Sequence, residues 1–251
     1  MNRQYTNPPL IEAICEFRFQ SETPDDISVP GLVYAGLRND FPRKLPNPSV
    51  GLRSIVTGPD GNQREVNQPL REPSLRFWRE DEVGAIIVGP NRLSLSVHKP
   101  YPSWLSWKPI IKQALGVYVE VANPTGIQRI GLRYTNQIEH STAVIAPDEL
   151  LNFYPFVGDS LPQELLTFSM NVLIPFNEER DRLRLQMGTG NQLINGRVPT
   201  MLDLDYFLNV PGAIPIVEAL DWLEDAHSHV EDTFEGCLKD ILREQFGQVG
   251  A

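Results

Sequence analysis

Cysteine is scarce in this chain of 251 residues, which contains only Cys15 and Cys237. Two cysteines cannot form the dense disulfide framework that stabilises small secreted domains. Cys15 lies on the apolar side of a predicted strand, and Cys237 lies on the apolar side of a predicted helix. We therefore expect both to be small buried hydrophobic side chains, and neither to be a disulfide partner or a nucleophile.

Long apolar runs are missing too. No stretch of about 18 consecutive apolar residues occurs, which predicts that the chain has no transmembrane helix. Residues 1–5 lack the apolar core of a secretory signal peptide. We expect a cytoplasmic protein that does not associate with a membrane.

Positive charge is in short supply, because 32 acidic residues outnumber 22 basic ones and leave a net charge of −10. Residues 1–122 contain 14 basic and 13 acidic residues, whereas residues 123–251 contain 8 and 19, so the acidic excess lies in the second half. Proteins that bind nucleic acid need a basic face for the phosphates. The composition disfavours a nucleic-acid partner, although a local basic patch in the first half is compatible with it.

Compact catalytic and cofactor motifs are absent from the sequence. It contains no P-loop, dinucleotide-binding glycine motif, nucleophile elbow or HExxH pair. We therefore expect no cofactor, and the absence favours binding over catalysis. It does so only weakly, since catalytic triads are assembled from distant positions.

The clearest pattern that is present is an alternating stretch at Gln128–Ile138, which predicts a strand. Its apolar side is formed by Ile130, Leu132 and Tyr134. Its other side carries Arg129 and Arg133, with a gap at Gly131.

A second alternating stretch, Ile11–Phe19, has the same rhythm and belongs to a predicted strand over Leu10–Gln20. Its apolar side is formed by Ile11, Ala13, Cys15, Phe17 and Phe19, and its polar side by Glu12, Glu16 and Arg18. If the two strands are antiparallel neighbours, one register opposes Glu12 to Arg133 and Glu16 to Arg129. These four residues then form a charged ladder at the centre of the sheet. Otherwise they face solvent, or the arginines bind an acidic ligand, which makes the four residues the candidate ligand site.

The order of predicted elements recurs in the two halves of the chain, 1–122 and 123–251. Each half has a strand, a short helix, a three-stranded meander and a long helix. We predict an α+β fold in which two similar halves form one antiparallel sheet with helices on one face. An internal duplication explains the recurrence, and the saddle of the TATA-binding protein is a precedent for the plan that carries no functional implication.

The last predicted element is a continuous helix over Ile214–Phe246. At 1.5 Å per residue it is about 45–50 Å long, which exceeds what a small sheet face covers. The surplus length predicts a homodimer packed through this helix.

Two residue pairs are weak metal-site candidates. Asp203 and Asp205 lie two apart on a predicted strand, so both carboxylates point to one face and could bind Mg²⁺. His227 and Glu231 lie four apart on the last helix and could share a zinc ion, although a zinc site needs about four ligands. No further ligand is spaced nearby in either case, so an exposed sheet face and a structural helix face are the simpler interpretations, and we predict no metal.

Aromatic residues gather where the first long helix begins, at Tyr101, Trp104 and Trp107. Aromatic side chains in loops can stack on nucleobases. At helical spacing they more often belong to a core, which is the interpretation that we favour here.

Three segments resemble a sporadically distributed family of bacterial proteins of about 250 residues. They are N-P-P-L-I-E-A-I-C-E-F-R-F (7–19), Y-P-S-W (101–104) and R-I-G-L-R-Y-T-N (129–136). The family carries no established activity, ligand or catalytic residue that could be transferred to this chain. Its patchy distribution resembles that of accessory genes such as phage-defence or toxin–antitoxin components.

Together these observations predict a non-enzymatic binding protein of a bacterial accessory system, whose partner is another protein. One alternative is a metal-dependent enzyme that uses Asp203 and Asp205. Another is a nucleic-acid-binding protein that uses a curved sheet.

Overall fold

The computed structural model describes residues 4–22, 26–46, 51–57, 63–69, 74–139, 147–162, 164–190, 194 and 197–249. In the first half of the chain the strands are β1 (Gln4–Tyr5), β2 (Leu10–Gln20), β3 (Arg43–Pro46), β4 (Gly51–Thr57), β5 (Gln63–Pro69), β6 (Leu75–Trp78), β7 (Gly84–Gly89) and β8 (Arg92–His98). The helices of this half are α1 (Val29–Leu37), which follows β2, and α2 (Trp104–Ala122), which follows β8.

In the second half the strands are β9 (Gly126–Ile138), β10 (Ser169–Phe176), β11 (Asp181–Thr189), β12 (Thr200–Leu208) and β13 (Gln248–Val249). The helices are α3 (Pro147–Leu150), α4 (Ala219–Cys237) and α5 (Asp240–Gln245), and a short 3-10 turn at Ile216–Glu218 precedes α4. None of the helices in the described residues is both long and apolar enough to cross a membrane.

Nine of these strands form one open antiparallel sheet in the order β10-β11-β12-β9-β2-β8-β7-β6-β3. Strands β2 and β9, which open the two halves, pair with each other at the centre. Outward from this pair, β8, β7 and β6 on one side correspond to β12, β11 and β10 on the other. The predicted α+β fold with one antiparallel sheet built from two similar halves is confirmed.

The hydrophobic core lies between this sheet and the helices. Alternate side chains of β2 and β9 point into it, among them Ala13, Cys15, Phe17, Ile130 and Leu132, and all of these are fully buried. Because successive side chains of a strand point to opposite faces, the same strands present their polar residues on the other face. Both cysteines are free thiols inside the core, as expected, and burial raises their pKa values.

Helix α2 is capped at both of its ends. The Ser103 hydroxyl accepts a hydrogen bond from the Ser106 N–H at the first end. At the other end Asn123 adopts a left-handed conformation and donates its N–H to the Val119 carbonyl, so the chain can turn into β9. Pro109 lies inside the helix, in its second turn, and removes one backbone donor there.

The prediction of one continuous helix over Ile214–Phe246 is wrong. Helix α4 ends at Cys237, and Leu238 takes an extended conformation before α5 begins. The reason is a tertiary contact: Leu238 forms a β-bridge with Leu151, and the Asn152 N–H donates to the Cys237 carbonyl. With 19 residues α4 is only about 28 Å long, so the surplus length that predicted a dimer through this helix does not exist.

The polar stretch 57–74, whose composition is typical of a loop, contains a strand of its own. Strand β5 pairs with β4 to form a two-stranded hairpin between β3 and β6. Residues 58–62 and 70–73 lie outside the described residues. A further small pairing joins β1 to β13 and brings the two ends of the described chain together.

Candidate ligand-binding groove on the open face of the sheet

The face of the sheet opposite the helices forms a groove of about 600 Å³. Charged and aromatic residues that line it include Glu12, Glu16, Arg18, Arg76, Trp78, Arg92, His98, Arg129, Arg133, Arg184, Asp205 and Phe207. Small residues, among them Ala85, Ser94, Ser96 and Gly131, lie between them. The lining extends over seven strands, from β11 to β6, which spans about 29 Å at 4.8 Å between strands.

Strand alternation and register together build this lining. Along one row across the sheet, Trp78 opposes Ala85, Ala85 opposes Ser96, and Ser96 opposes Ile14. The row continues through Arg133 and Asp205 to Arg184. Each of these residues has the same phase on its own strand as the polar residues of β2, so the whole row faces away from the core.

Two carboxylates hold the arginines at the centre of the groove. Glu16 accepts from Arg18 at 2.9 Å, from Arg92 at 2.8 Å and from Arg129 at 3.3 Å. The Arg129 guanidinium also reaches Asp205 at 3.2 Å, so it bridges β2 and β12 across its own strand.

Gly131 makes this bridge possible. A Cβ atom at this position would lie 2.9 Å from Nη1 of Arg129, so the guanidinium occupies the space that a side chain would fill. The missing side chain at Gly131, between Arg129 and Arg133, therefore leaves the space in which the Arg129 guanidinium lies.

The predicted ladder between β2 and β9 is correct in its strands and wrong in its register. Arg133 opposes Ile14, and Glu16 opposes Gly131, a shift of two residues from the expected pairing. Glu16 and Arg129 still meet, on a diagonal, and both are largely buried.

Glu12 and Arg133 do not form the other predicted pair. Arg133 donates from Nε to Asp203 at 2.8 Å and makes a second, parallel bond to the same carboxylate. Glu12 lies 3.8 Å from Nδ1 of His98 instead. A two-residue slip keeps every side chain on its face, so alternation cannot distinguish the two registers.

Among the described residues, the six arginines of the groove outnumber the four carboxylates on the same face of the sheet, Glu12, Glu16, Asp203 and Asp205. Arg76 is the clearest surplus charge, since it has no ion-pair partner among the described residues. Its Nε atom is buried without a hydrogen-bond partner, and its guanidinium lies over Trp78 at 5.9 Å. Trp78 in turn stacks on His98.

A second arginine–aromatic contact lies on the other side of the groove. Arg129 covers the Phe207 ring at 4.9 Å and Arg184 lies 5.8 Å from it. Each half of the sheet thus contributes one aromatic ring that carries a guanidinium, Trp78 from β6 and Phe207 from β12.

The two carboxylates at the floor of the groove are largely shielded from solvent, since the side chains of Glu16 and Asp205 are only 12% and 14% exposed. Burial raises the pKa of the Asp205 carboxyl, and the opposing fields of Arg129, Arg133 and Arg184 do not fully offset it. The hydrogen bonds that Arg133 donates to Asp203 raise the pKa of the Arg133 guanidinium. A charged ligand at this floor would interact with the arginines at short range and with little screening by water.

Both residue pairs that were weak candidates for a metal site form ion pairs with other side chains or with each other. Asp203 is bound by Arg133, and Asp205 is contacted by Arg129 and Arg184. A metal ion at this pair would have to displace guanidinium groups. In the part of the chain that the structure describes, no group of three or more His, Cys, Asp and Glu side chains is arranged to hold a metal.

His227 and Glu231 do meet, with 3.3 Å between Nε2 and Oε1. The imidazole is buried, stacks on Trp104 and shares a hydrogen bond of 3.0 Å with the Tyr134 hydroxyl through Nδ1. Both ring nitrogens are thus engaged by protein groups. The interpretation of Trp104 and Trp107 as core residues is confirmed, since both are buried.

Several groove residues were not singled out from the sequence, namely Arg76, Trp78, Arg92, Arg184 and Phe207. Each follows the polar phase of its own strand, so the alternation of β6, β8, β11 and β12 places them on the open face. No local pattern in the sequence shows that these four strands are arranged in one sheet, so that their residues share one face with Arg129.

A scan against models of known protein families finds no match for this chain, and a search of curated proteins finds no sequence with significant similarity. The family resemblance of the three segments stays a prediction.

Proposed function

We propose that the protein is a binding protein, without catalytic activity of its own, and that its partner is an acidic segment of another protein. The segment lies in the groove on the open face of the sheet. The observation that carries this proposal is the charge of the groove: six arginines face one surface of a chain whose net charge is −10.

The composition of the groove supports a protein partner. Its lining, as far as the structure describes the chain, contains arginine, tryptophan and phenylalanine but no lysine, a bias that is typical of the buried centres of protein–protein interfaces. Arginine binds carboxylates through two parallel hydrogen bonds, the geometry that Arg133 already forms with Asp203. The span of about 29 Å fits an extended segment of about eight residues.

A nucleic acid fits the groove less well. Four carboxylates face the same surface, and Glu16 and Asp205 occupy its centre, where they would repel a regular row of phosphates. A protein segment can place amide donors opposite these carboxylates and its own carboxylates opposite Arg76 and the other guanidinium groups. The net charge of −10 adds long-range repulsion for a polyanion.

The test uses fluorescence anisotropy with a labelled oligoglutamate peptide of about eight residues. We expect the wild-type protein to bind it, and Arg76→Gln to weaken binding about tenfold, because one charge-assisted contact is lost. Arg76 is the suitable site because no ion pair among the described residues depends on it. The matched control is Arg38→Gln, an exposed arginine at the end of α1, which should leave the affinity unchanged.

A single-stranded DNA oligonucleotide of the same charge separates the alternatives. Tighter binding of the oligonucleotide than of the peptide would favour the nucleic-acid alternative. Binding of the peptide that is equally weakened by Arg38→Gln would show a non-specific charge effect and would overturn the groove as the site.

Capture from the native host identifies the physiological partner. Wild type and the Arg38→Gln control should retain the same protein, and Arg76→Gln should lose it. This experiment also tests the proposed place in a bacterial accessory system, through the identity of what is captured.

We also infer that residues 1–122 and 123–251 arose by duplication. The mirrored strand order around the β2–β9 pair supports this, as does the equal placement of α2 and α4 after the last strand of each half. Superposition of β2, β6–β8 and α2 on β9, β10–β12 and α4 tests it. Helices that fall on different parts of the sheet after superposition would contradict the inference.

A further inference from the structure

The two edges of the nine-stranded sheet are unlike each other. Strand β3 at one edge has four residues and carries Arg43, Lys44 and Pro46. Short length, basic side chains and proline are the usual means by which an edge strand is kept from pairing with other chains. Strand β10 at the other edge has eight residues, Ser-Met-Asn-Val-Leu-Ile-Pro-Phe, and none is charged.

The free hydrogen-bonding groups of β10 follow from its pairing with β11. The Thr189 N–H donates to the Phe168 carbonyl, so the backbone groups of Phe168 and of every second residue after it point toward β11. Those of Ser169, Asn171 and Leu173 therefore point outward from the sheet. Within the described residues no strand pairs with this outer side.

We propose that two copies of the chain associate through their β10 strands, paired antiparallel around Val172. Alternation requires outward residues of one copy to pair with outward residues of the other. Of the registers that satisfy this, the one centred on Val172 pairs residues 169–175 with themselves. It also places Pro175 opposite Ser169, at the end of the paired segment. Because proline has no N–H, one hydrogen bond between the strands is lost there, where it contributes least to the pairing.

The side chains that this register brings together are complementary. On the helix side Val172 meets Val172 of the second copy, and Met170 meets its Ile174. On the groove side Leu173 meets Asn171. Val172 and Leu173 are 38% and 48% exposed in the monomer, so pairing removes apolar surface from water.

A second copy fits this edge because a strand that pairs antiparallel with itself brings the residues near its centre opposite themselves or their near neighbours. A charged residue would then face its own copy at close range. The absence of charge from all eight positions removes that penalty.

The dimer has a consequence for the groove. Antiparallel pairing of two edges places the twofold axis perpendicular to the sheet, so both open faces lie on the same side. Two nine-stranded sheets become one of 18 strands, with two arginine grooves on one surface. The association does not rest on the proposed function, since β10 contributes no residue to the lining of the groove.

Sedimentation velocity of the full chain tests the association between about 1 and 100 µM. We expect a concentration-dependent shift from the 28.3 kDa monomer to twice that mass. Because each copy carries a net charge of −10, added salt should strengthen association. Val172→Lys should weaken it about tenfold or more, because two ammonium groups then face each other. Val217→Lys, at a valine that is 87% exposed away from the sheet, should not.

A cysteine substitution tests the register. Residue 172 faces itself in a pair without hydrogen bonds, where Cα atoms lie about 4.5 Å apart, within the range that a disulfide spans. Val172→Cys should therefore form a covalent dimer on mild oxidation, whereas Val217→Cys should not. The native thiols, Cys15 and Cys237, are buried.

Each other outcome contradicts the proposal in a defined way. A monomer at all concentrations, or a dimer that Val172→Lys leaves intact, would exclude β10 as the interface. A dimer lost in Val172→Lys but not cross-linked by Val172→Cys would overturn the register centred on Val172. A β10 strand that binds a host protein and not a second copy would overturn the choice of occupant.

Discussion

The two faces of the sheet each contain a largely buried carboxylate, and the contrast between Asp181 and Asp205 shows how the faces differ. Asp181 lies on the helix-covered face and is fully buried. Its carboxylate accepts from Trp222 at 2.9 Å, from Asn177 at 2.7 Å and from Arg180 at 3.0 Å. These donors come from α4, from the β10–β11 turn and from the neighbouring residue, so Asp181 ties a helix to the sheet.

Asp205 on the open face has ion-pair partners of a different kind. Its partners are the long guanidinium groups of Arg129 and Arg184, which approach from the same surface and end in the groove. A buried carboxylate thus stabilises the fold where its hydrogen-bond donors belong to packed elements, as they do at Asp181. Where the donors are arginines at an open surface, the same residue type orients side chains that line a groove.

The largest effect is expected at the covered face. Asp181→Ala leaves Arg180 and the Trp222 N–H without their acceptor, so we expect the free energy of unfolding to fall by about 3–5 kcal/mol. Urea denaturation measures this. The matched change Asp205→Ala should cost clearly less, because its arginines can turn to water. Equal decreases in the free energy of unfolding for Asp181→Ala and Asp205→Ala would contradict the proposed difference between the two faces of the sheet.

The next effect concerns the polar chain under the helices. The Tyr134 hydroxyl lies between the Tyr101 hydroxyl at 3.2 Å and Nδ1 of His227 at 3.0 Å, and burial raises its pKa. Tyr134→Phe should lower the free energy of unfolding by about 1–3 kcal/mol, because His227 loses a buried partner. Tyr101→Phe, at a half-buried position, is the control and should cost less.

A smaller effect is expected between the strands of the open face. A double-mutant cycle on Glu16 and Arg129 should give a coupling energy of about 0.5–1 kcal/mol, since the two side chains are in contact. The same cycle on Glu12 and Arg133 is the control. It should be additive within about 0.3–0.5 kcal/mol, because Arg133 is bound to Asp203. Equal coupling in both pairs would restore the register expected from the sequence.

The smallest effect lies on the outer surface of the helices. Hydrogen bonds from Lys108, and then from Trp104, lower the pKa of Glu224. A depressed carboxyl pKa stabilises the native state above the unfolded-state pKa, and this stabilisation is lost as the pH falls through the folded-state pKa. Wild type should therefore exceed Glu224→Gln in stability at neutral pH, by about 1 kcal/mol or less, and the difference should vanish in acid. A constant difference would exclude Glu224 as its source.

The sequence by itself determined which face of each strand is buried. A period of two requires only that alternate residues be apolar, and in β2 the buried residues Ala13, Cys15, Phe17 and Phe19 follow it. Leu10, which is also buried, lies out of this phase at the irregular start of the strand. The same regularity, repeated in both halves, was sufficient to predict the single antiparallel sheet. The polar face of β9, with Arg129 and Arg133, was visible for the same reason.

Only the tertiary structure decided how these faces are combined. A shift of two residues between β2 and β9 preserves every face, so the partner of each arginine depends on bulges and on contacts from distant strands. The end of α4 at Cys237 depends on Leu151 and Asn152, which lie far away in the sequence. Periodicity is local, whereas ion pairs and helix ends of this kind are set by residues that meet only after the chain has folded.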